Sequence, residues 1–165
     1  MSEMAARHAD TGPTALALSG GERLLVWATR KYAFRCATAC LVERAFREAC
    51  GDRDGRAAST AFRQMLLLLA RHGRRPLALG PPGWPGATPH EHRLLRLFSA
   101  AQARSGEQMQ MHLAWLMPAD AARQALPLVE LIAAALRDHG CVLPLAVSPA
   151  PPAQGSGLAD LNETR

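Results

Sequence analysis

Apolar residues recur along this chain at the three- and four-residue intervals of helices, and punctuation residues divide the pattern into segments. Ser19-Gly20-Gly21-Glu22 forms a capping box directly before Leu24-Leu25-Val26-Trp27. The helical pattern it opens runs to Ala49, where Cys50-Gly51 supplies a stop. Read as one continuous helix, it would place Lys31 and Arg35 within the arc of Leu24, Ala28, Val42 and Phe46. A bend or break near Phe34 resolves the conflict, so two helices or one kinked helix are expected; the arginine stem can also snorkel. Asp52-Arg53-Asp54-Gly55 reads as a turn. A third helix then runs from Arg56 to His72, with Gly73 as its stop. Its run Met65-Leu66-Leu67-Leu68-Leu69-Ala70 is apolar nearly all round, which predicts the central, most buried helix.

A fourth helix, from Pro89 to Arg104, opens with Thr88-Pro89-His90-Glu91, a capping box with proline at the first helical position. Leu94, Leu95, Leu97, Phe98 and Ala101 face inward on it. Ser105-Gly106-Glu107-Gln108 reads as a third capping box and opens a fifth helix that runs through Met117. Pro118 and Pro127 suit helix starts, giving a short helix from Ala119 and a last one from Leu128 to His139, closed by Gly140. Leu77-Ala78-Leu79, hemmed by Pro76 and Gly80, is too short for a strand. The fold class is therefore all-α: a single compact bundle of five to seven helices over residues 19–144. A flexible segment (1–18) precedes it, and a disordered tail rich in Pro, Gly and Ser (145–165) follows.

Composition agrees. The chain has 165 residues, enough for one domain with a core. Aromatic content is 5% and Ile132 is the only isoleucine, which disfavours strands and leaves a core of Leu, Ala, Val and Met. The net charge is +5, and Lys31 is the only lysine. An arginine excess of this kind reads first as GC-rich coding and second as nucleic-acid binding. The charge is uneven: from Ala57 to Arg104, Arg63, Arg71, Arg74, Arg75, Arg93, Arg96 and Arg104 are opposed only by Glu91. No secretory leader and no apolar run long enough for a bilayer stand in the sequence, which predicts a soluble cytoplasmic protein that does not enter membranes. Cys36, Cys40, Cys50 and Cys141 are then expected as reduced thiols.

The chemistry-bearing motifs are few. Cys36 and Cys40 share a helix face, with Cys50 near it and His72 as a conceivable fourth ligand. Structural zinc usually needs paired knuckles and only one gap is present, so buried thiols and no metal are expected. His90-Glu91-His92 has its histidines two apart, not the four of a zincin helix, and reads as a solvated first turn. Met65, Met109, Met111 and Met117, at helical spacing, read as core filler. No phosphate loop, dinucleotide fingerprint, nucleophile elbow or carboxylate pair is present. No catalytic residue and no cofactor are therefore assigned, and the balance leans away from an enzyme.

The strongest candidate is the connector from Arg71 to Ala87. Prolines and glycines give it a defined path. Arg71, Arg74, Arg75, Trp84 and Thr88 form the expected interaction or anion-binding set. An arginine folded back on the free amides at Thr88 would hold phosphate or a carboxylate. Otherwise these arginines simply neutralise the end of the third helix. Trp84 is an interface anchor if exposed and a lid on the core if folded back.

The order of features carries a resemblance: Arg23-Leu24-Leu25 opening a helix, a leucine-rich helix ending in Gly73-Arg74-Arg75-Pro76, a Pro/Gly loop into Thr88-x-x-Glu91, then Leu94-Leu95-x-Leu97. Over about Ser19 to Pro144 the chain resembles small all-helical alphaproteobacterial proteins grouped as domains of unknown function. It departs at the loop, where cysteines are expected and Pro81-Pro82-Gly83-Trp84 stand. The resemblance implies a bacterial origin and a helical fold, and transfers no site. The leading functional expectation is a non-enzymatic interaction or regulatory protein using helical faces and the Arg74–Glu91 loop, with a protein partner or a second copy of itself. A nucleic-acid binder through the arginine-rich middle and a protein or enzyme taking a small anionic ligand are the alternatives.

Overall fold

The computed structural model describes residues 18–35 and 39–144, and within them the fold is all-α. Six helices follow in order: α1 (Gly20–Ala33), α2 (Ala39–Cys50), α3 (Asp52–His72), α4 (Pro89–Gln102), α5 (Gly106–Leu116) and α6 (Ala119–Asp138). The expectations for residues 1–17, for Cys36 and for the tail 145–165 lie outside the described residues.

Local chemistry sets most boundaries. Ser19 accepts from the Glu22 N–H while Glu22 accepts from the Ser19 N–H, so α1 has its capping box. The expected break falls after Ala33: Phe34 is the C-cap and Arg35 takes a left-handed φ of 51°. Arg35 thereby leaves the helical arc it would have spoiled. The Asp52–Gly55 turn is corrected to the first turn of α3. Gly55 is there for proximity, since a Cβ at this position would lie 2.6 Å from the Arg47 amide of α2.

Two further corrections concern helix ends. The Ser105 side chain makes no capping hydrogen bond, so the third capping box is not formed. Pro127 lies inside a single 20-residue α6 and does not start a helix; Pro118 is the N-cap of that helix. Proline in a helix removes one bond to the carbonyl four residues back. Here that carbonyl belongs to exposed Arg123, where solvent can serve it.

α3 packs against both α2 and α6, and α4 packs against α5 and α6. A row of aromatic rings runs through the centre: Phe46 of α2 lies 5.4 Å from Phe62 of α3, which lies 6.2 Å from Phe98 of α4. All three rings are fully buried, so phenylalanine occupies a core position that composition alone gave to aliphatic residues. Met65, Met109 and Met117 are core as expected, whereas Met111 is exposed.

The largest departure is in α3. Its buried residues are Gly55, Ala58, Ser59, Ala61, Phe62 and Met65, all in the first two-thirds. The leucine run beyond Met65 is not the buried centre. Leu66, Leu68 and Leu69 are half-buried, Ala70 is exposed and Leu67 is 47% exposed. The aliphatic end of α3 is thus only partly covered by its neighbours.

The last described segment returns to α4 and α1. Gln102 holds it at both ends of its amide, donating to the Cys141 carbonyl at 2.9 Å and accepting from the Leu143 N–H at 2.8 Å. Ser99 donates to the Pro144 carbonyl at 3.1 Å, and the Leu143 side chain packs over Gly21.

Candidate functional site

The connector between α3 and α4 is held by a buried ion pair that joins it to α1. Arg30 is 5% exposed and Glu91 1%. The contact is bidentate: Arg30 Nε to Glu91 Oε1 at 2.7 Å and Nη2 to Oε2 at 2.8 Å. The guanidinium also donates to the Trp84 carbonyl at 2.6 Å and the Gly86 carbonyl at 2.7 Å. Glu91 in turn accepts from the Gly80 N–H at 3.1 Å and the Thr88 N–H at 2.8 Å. Both charges therefore have their hydrogen-bonding capacity well used, as buried ions require. Burial alone would raise the Glu91 carboxyl; the Arg30 guanidinium and the Thr88 and Gly80 amides outweigh it and hold the group below the usual carboxylate range.

This corrects the solvated reading of the His90-Glu91-His92 turn. Glu91 does cap its helix with Thr88, whose hydroxyl accepts from the Glu91 N–H at 3.1 Å. The same carboxylate is also the keystone of the connector. His90 is not free either: its Nδ1 accepts from the Ala78 N–H at 2.8 Å, and its ring meets Trp115 edge-on at 5.4 Å.

The expected anion site at the start of α4 is likewise corrected. The Thr88 hydroxyl donates to the Ala78 carbonyl at 2.7 Å, and Glu91 occupies the place reserved for an outside anion. The arginine that meets it comes from α1, not from Arg74 or Arg75. Arg74 donates its backbone N–H to the Leu116 carbonyl at 2.9 Å. Arg75 stacks on Trp115 at 4.8 Å, as does Arg93 at 4.5 Å. Arg71 is exposed at the end of α3.

Trp84 combines both roles considered for it. The Arg30 guanidinium lies 5.5 Å from its ring centroid, yet the residue remains 44% exposed. Gly80 makes this fold-back possible. A Cβ there would sit 2.5 Å from Arg30 Nη2 and closer still to the Trp84 ring.

The clamp fixes two walls at once. On one side, Leu77 and Leu79 face the partly covered end of α3 across a groove of about 520 Å³. Leu66, Leu69 and Ala70 line it from α3, Tyr32 from α1, and Arg63, Arg74 and Arg75 stand at its edge. Across the Leu67 ridge, a shallower groove of about 330 Å³ runs between Leu68, Arg71, Gln124 and Leu128. No carboxylate lines either groove, and the ion pairs among the described residues leave Arg63, Arg71 and Arg74 unpaired. On the other side of the clamp, Trp84 faces Trp27 of α1 across a separate groove of about 360 Å³. Arg71, Arg74 and Arg75 thus gather around the end of α3, while Trp84 and Thr88 belong to the clamp. The expected set is not one site.

Of the described thiols, Cys40 is exposed, Cys50 is buried and Cys141 is half-buried. Burial, then the nearby Cys141 and Asp54, push the Cys50 thiol up to about 11. Among the described residues, no three His, Cys, Asp or Glu side chains are grouped to hold a metal ion, and no helix is long and apolar enough to cross a membrane. No family model, curated protein or solved structure matches this chain.

Proposed function

We propose that this chain is a non-enzymatic interaction protein whose leucine-rich end of α3 receives an acidic amphipathic helix of a protein partner. One observation carries the reading: the most apolar run of the sequence is only partly covered, with exposed Leu67 as a ridge between two grooves and unpaired arginines around it. Contiguous exposed apolar surface with a polar rim marks interaction sites on proteins. Helix-in-groove recognition reads anchors at three- and four-residue spacing, and an arginine rim selects a partner with carboxylates on its polar flank. The clamp contributes by fixing Leu77 and Leu79 before a partner arrives, which lowers the ordering cost of binding. An apolar floor is poorly suited to phosphate backbones, so the arginine-rich middle favours this reading over nucleic acid.

A second reading rests on the groove volume. About 520 Å³ falls within the size of small-molecule pockets, so an apolar carboxylate with its head on Arg63 or Arg74 is the competing occupant. The experiment that separates them uses labelled amphipathic helical peptides with one leucine face and either glutamates or lysines on the other, measured by fluorescence anisotropy beside a fatty-acid displacement assay. The glutamate peptide is expected to bind, to weaken with salt, and to lose at least tenfold in affinity on Leu67→Glu or Arg63→Glu/Arg74→Glu. Equal binding of the lysine peptide, or displacement by the fatty acid with no peptide binding, refutes the proposal.

A further inference from the structure

The corner where the connector meets α4 and α5 gathers donors around one indole. The Arg75 guanidinium of the connector lies 4.8 Å from the ring centroid of Trp115 of α5, and the Arg93 guanidinium of α4 lies 4.5 Å from it. His90 meets the same ring edge-on at 5.4 Å. Its Nδ1 accepts from the Ala78 N–H, which leaves the ring proton on Nε2 as a further donor. The backbone fixes the corner: the Arg74 N–H donates to the Leu116 carbonyl at 2.9 Å, tying the residue before Arg75 to the residue after Trp115.

A stacked guanidinium spends its face on the ring and keeps its N–H groups, which lie in its plane, for acceptors. Arg30 over Trp84 shows those groups filled: it donates to both Glu91 oxygens and to the Trp84 and Gly86 carbonyls. Arg75 and Arg93 stack in the same way. Yet among the described residues neither side chain donates to a protein acceptor, and no ion pair includes either. Their charge is felt inside the fold. His112 precedes Trp115 by three residues, so the two are neighbours on one face of α5. It is buried and its Nδ1 has no hydrogen-bond partner; burial, then the nearby Arg93 and Arg96, hold its imidazole below the usual range. Two guanidiniums drawn to one ring repel each other, and a monoanion neutralises only one of them. A phosphoryl dianion has the charge for both and three oxygens to bridge two planar forks. We propose that Arg75, Arg93 and His90 around Trp115 form a binding site for a phosphoryl dianion. The site shares Arg75 with the rim of the leucine groove and does not depend on what that groove receives.

The test uses the full chain labelled with ¹⁵N, in which the three tryptophan indole N–H signals are assigned by single Trp→Phe changes. It is titrated at constant ionic strength with glycerol 2-phosphate, inorganic phosphate and acetate, at a pH well above about 6, where the phosphates are dianions. The Trp115 signal is expected to shift saturably with phosphate and not with acetate, while Trp27 and Trp84 stay in place. Tighter binding of the ester assigns the site to a phosphorylated ligand, and tighter binding of the inorganic ion assigns it to free phosphate. Arg93→Gln and Arg75→Gln are each expected to weaken binding about tenfold or more, with α-helical circular dichroism unchanged. Arg93→Lys, which keeps the charge and loses the fork, is expected to weaken it less. Arg71→Gln, an exposed arginine away from Trp115, is expected to leave it as it is. Bound phosphate is also expected to raise the His112 pKa, read from its ring Cε1–H signal, because the dianion offsets Arg93. The proposal is overturned if Trp115 shows no saturable shift, or if acetate shifts it as far. It is equally overturned if folded Arg93→Gln binds as tightly as wild type, or if Arg71→Gln weakens binding as much as Arg93→Gln does.

Discussion

Removing both partners of the Arg30–Glu91 pair is expected to destabilise the fold by clearly less than the two single removals added together. Glu91 accepts four hydrogen bonds: two from Arg30 and one each from the Gly80 and Thr88 amides. In Glu91→Leu those four donors lose their acceptor, and the Arg30 charge stays buried with only the Trp84 and Gly86 carbonyls. Breaking a buried pair from one side costs about 3–5 kcal/mol, much of it from the charge left behind. Arg30→Met leaves Glu91 with its two backbone amides, so its cost belongs at the lower end of the same range, about 3 kcal/mol. The double variant contains no unpaired buried charge. It is expected to be more stable than the sum of the single effects implies, with a coupling of about 2 kcal/mol or more. Urea unfolding followed by circular dichroism measures each corner of the cycle. Acidification supplies a second readout. The Glu91 carboxyl is depressed in the fold, so its contribution is present above the unfolded value of about 4.3 and is lost as pH falls towards the folded value. Glu91→Gln should remove that part of the acid slope. Single variants within about 1 kcal/mol of wild type, or strict additivity in the double, would refute the assignment of Glu91 as the keystone of the connector.

Other consequences follow from burial and close contact. Gly80→Ala should cost about 1–3 kcal/mol and redden Trp84 emission, because its Cβ enters the space of Arg30 and the indole; an unchanged melting temperature would contradict the fold-back. Phe62→Ala should cost about 3–5 kcal/mol, whereas Leu67→Ala should stay within about 1 kcal/mol in the isolated protein, and the reverse order under urea would show that the end of α3 is covered. Cys50, buried and with a thiol pushed up to about 11, should react with a thiol reagent only on unfolding, as peptide mapping after native labelling can show; prompt native labelling at Cys50 would contradict its burial.

Much of the architecture was legible because it is written locally. The Ser19–Glu22 and Thr88–Glu91 boxes, the break after Ala33 and the stops at Gly51, Gly73 and Gly140 depend on side chains within a few residues of each other. The misreadings came where local signals have two meanings. Gly55 resembles a turn residue but serves the close crossing of α2 and α3. Pro127 resembles a helix start, yet an exposed position lets a helix absorb it. Ser105-x-x-Gln108 has the letters of a capping box without its hydrogen bond.

The candidate site was less legible because its central contact spans 61 residues of sequence. A signal for it nevertheless exists. Arg30 follows buried Val26 by four residues, and Glu91 precedes buried Leu94 and Leu95 by three and four. Each charge therefore lies on the inward stripe of its own helix. An arginine and a glutamate, both inward-facing in a chain with one domain's worth of core, have few ways to avoid desolvation except each other. The apolar run Met65–Ala70 misled for the complementary reason. Hydrophobicity all round a helix shows that it prefers to be covered, but not whether the cover comes from the same chain. In α3 the chain buries the helix fully only as far as Met65; beyond it Leu66, Leu68 and Leu69 are half-covered, Leu67 is exposed, and the run borders two grooves. The buried ion pair and the half-covered leucines are thus linked. The pair holds the connector against α1, and Leu77 and Leu79, held there, form the far wall of the groove that keeps one flank of the leucine run open.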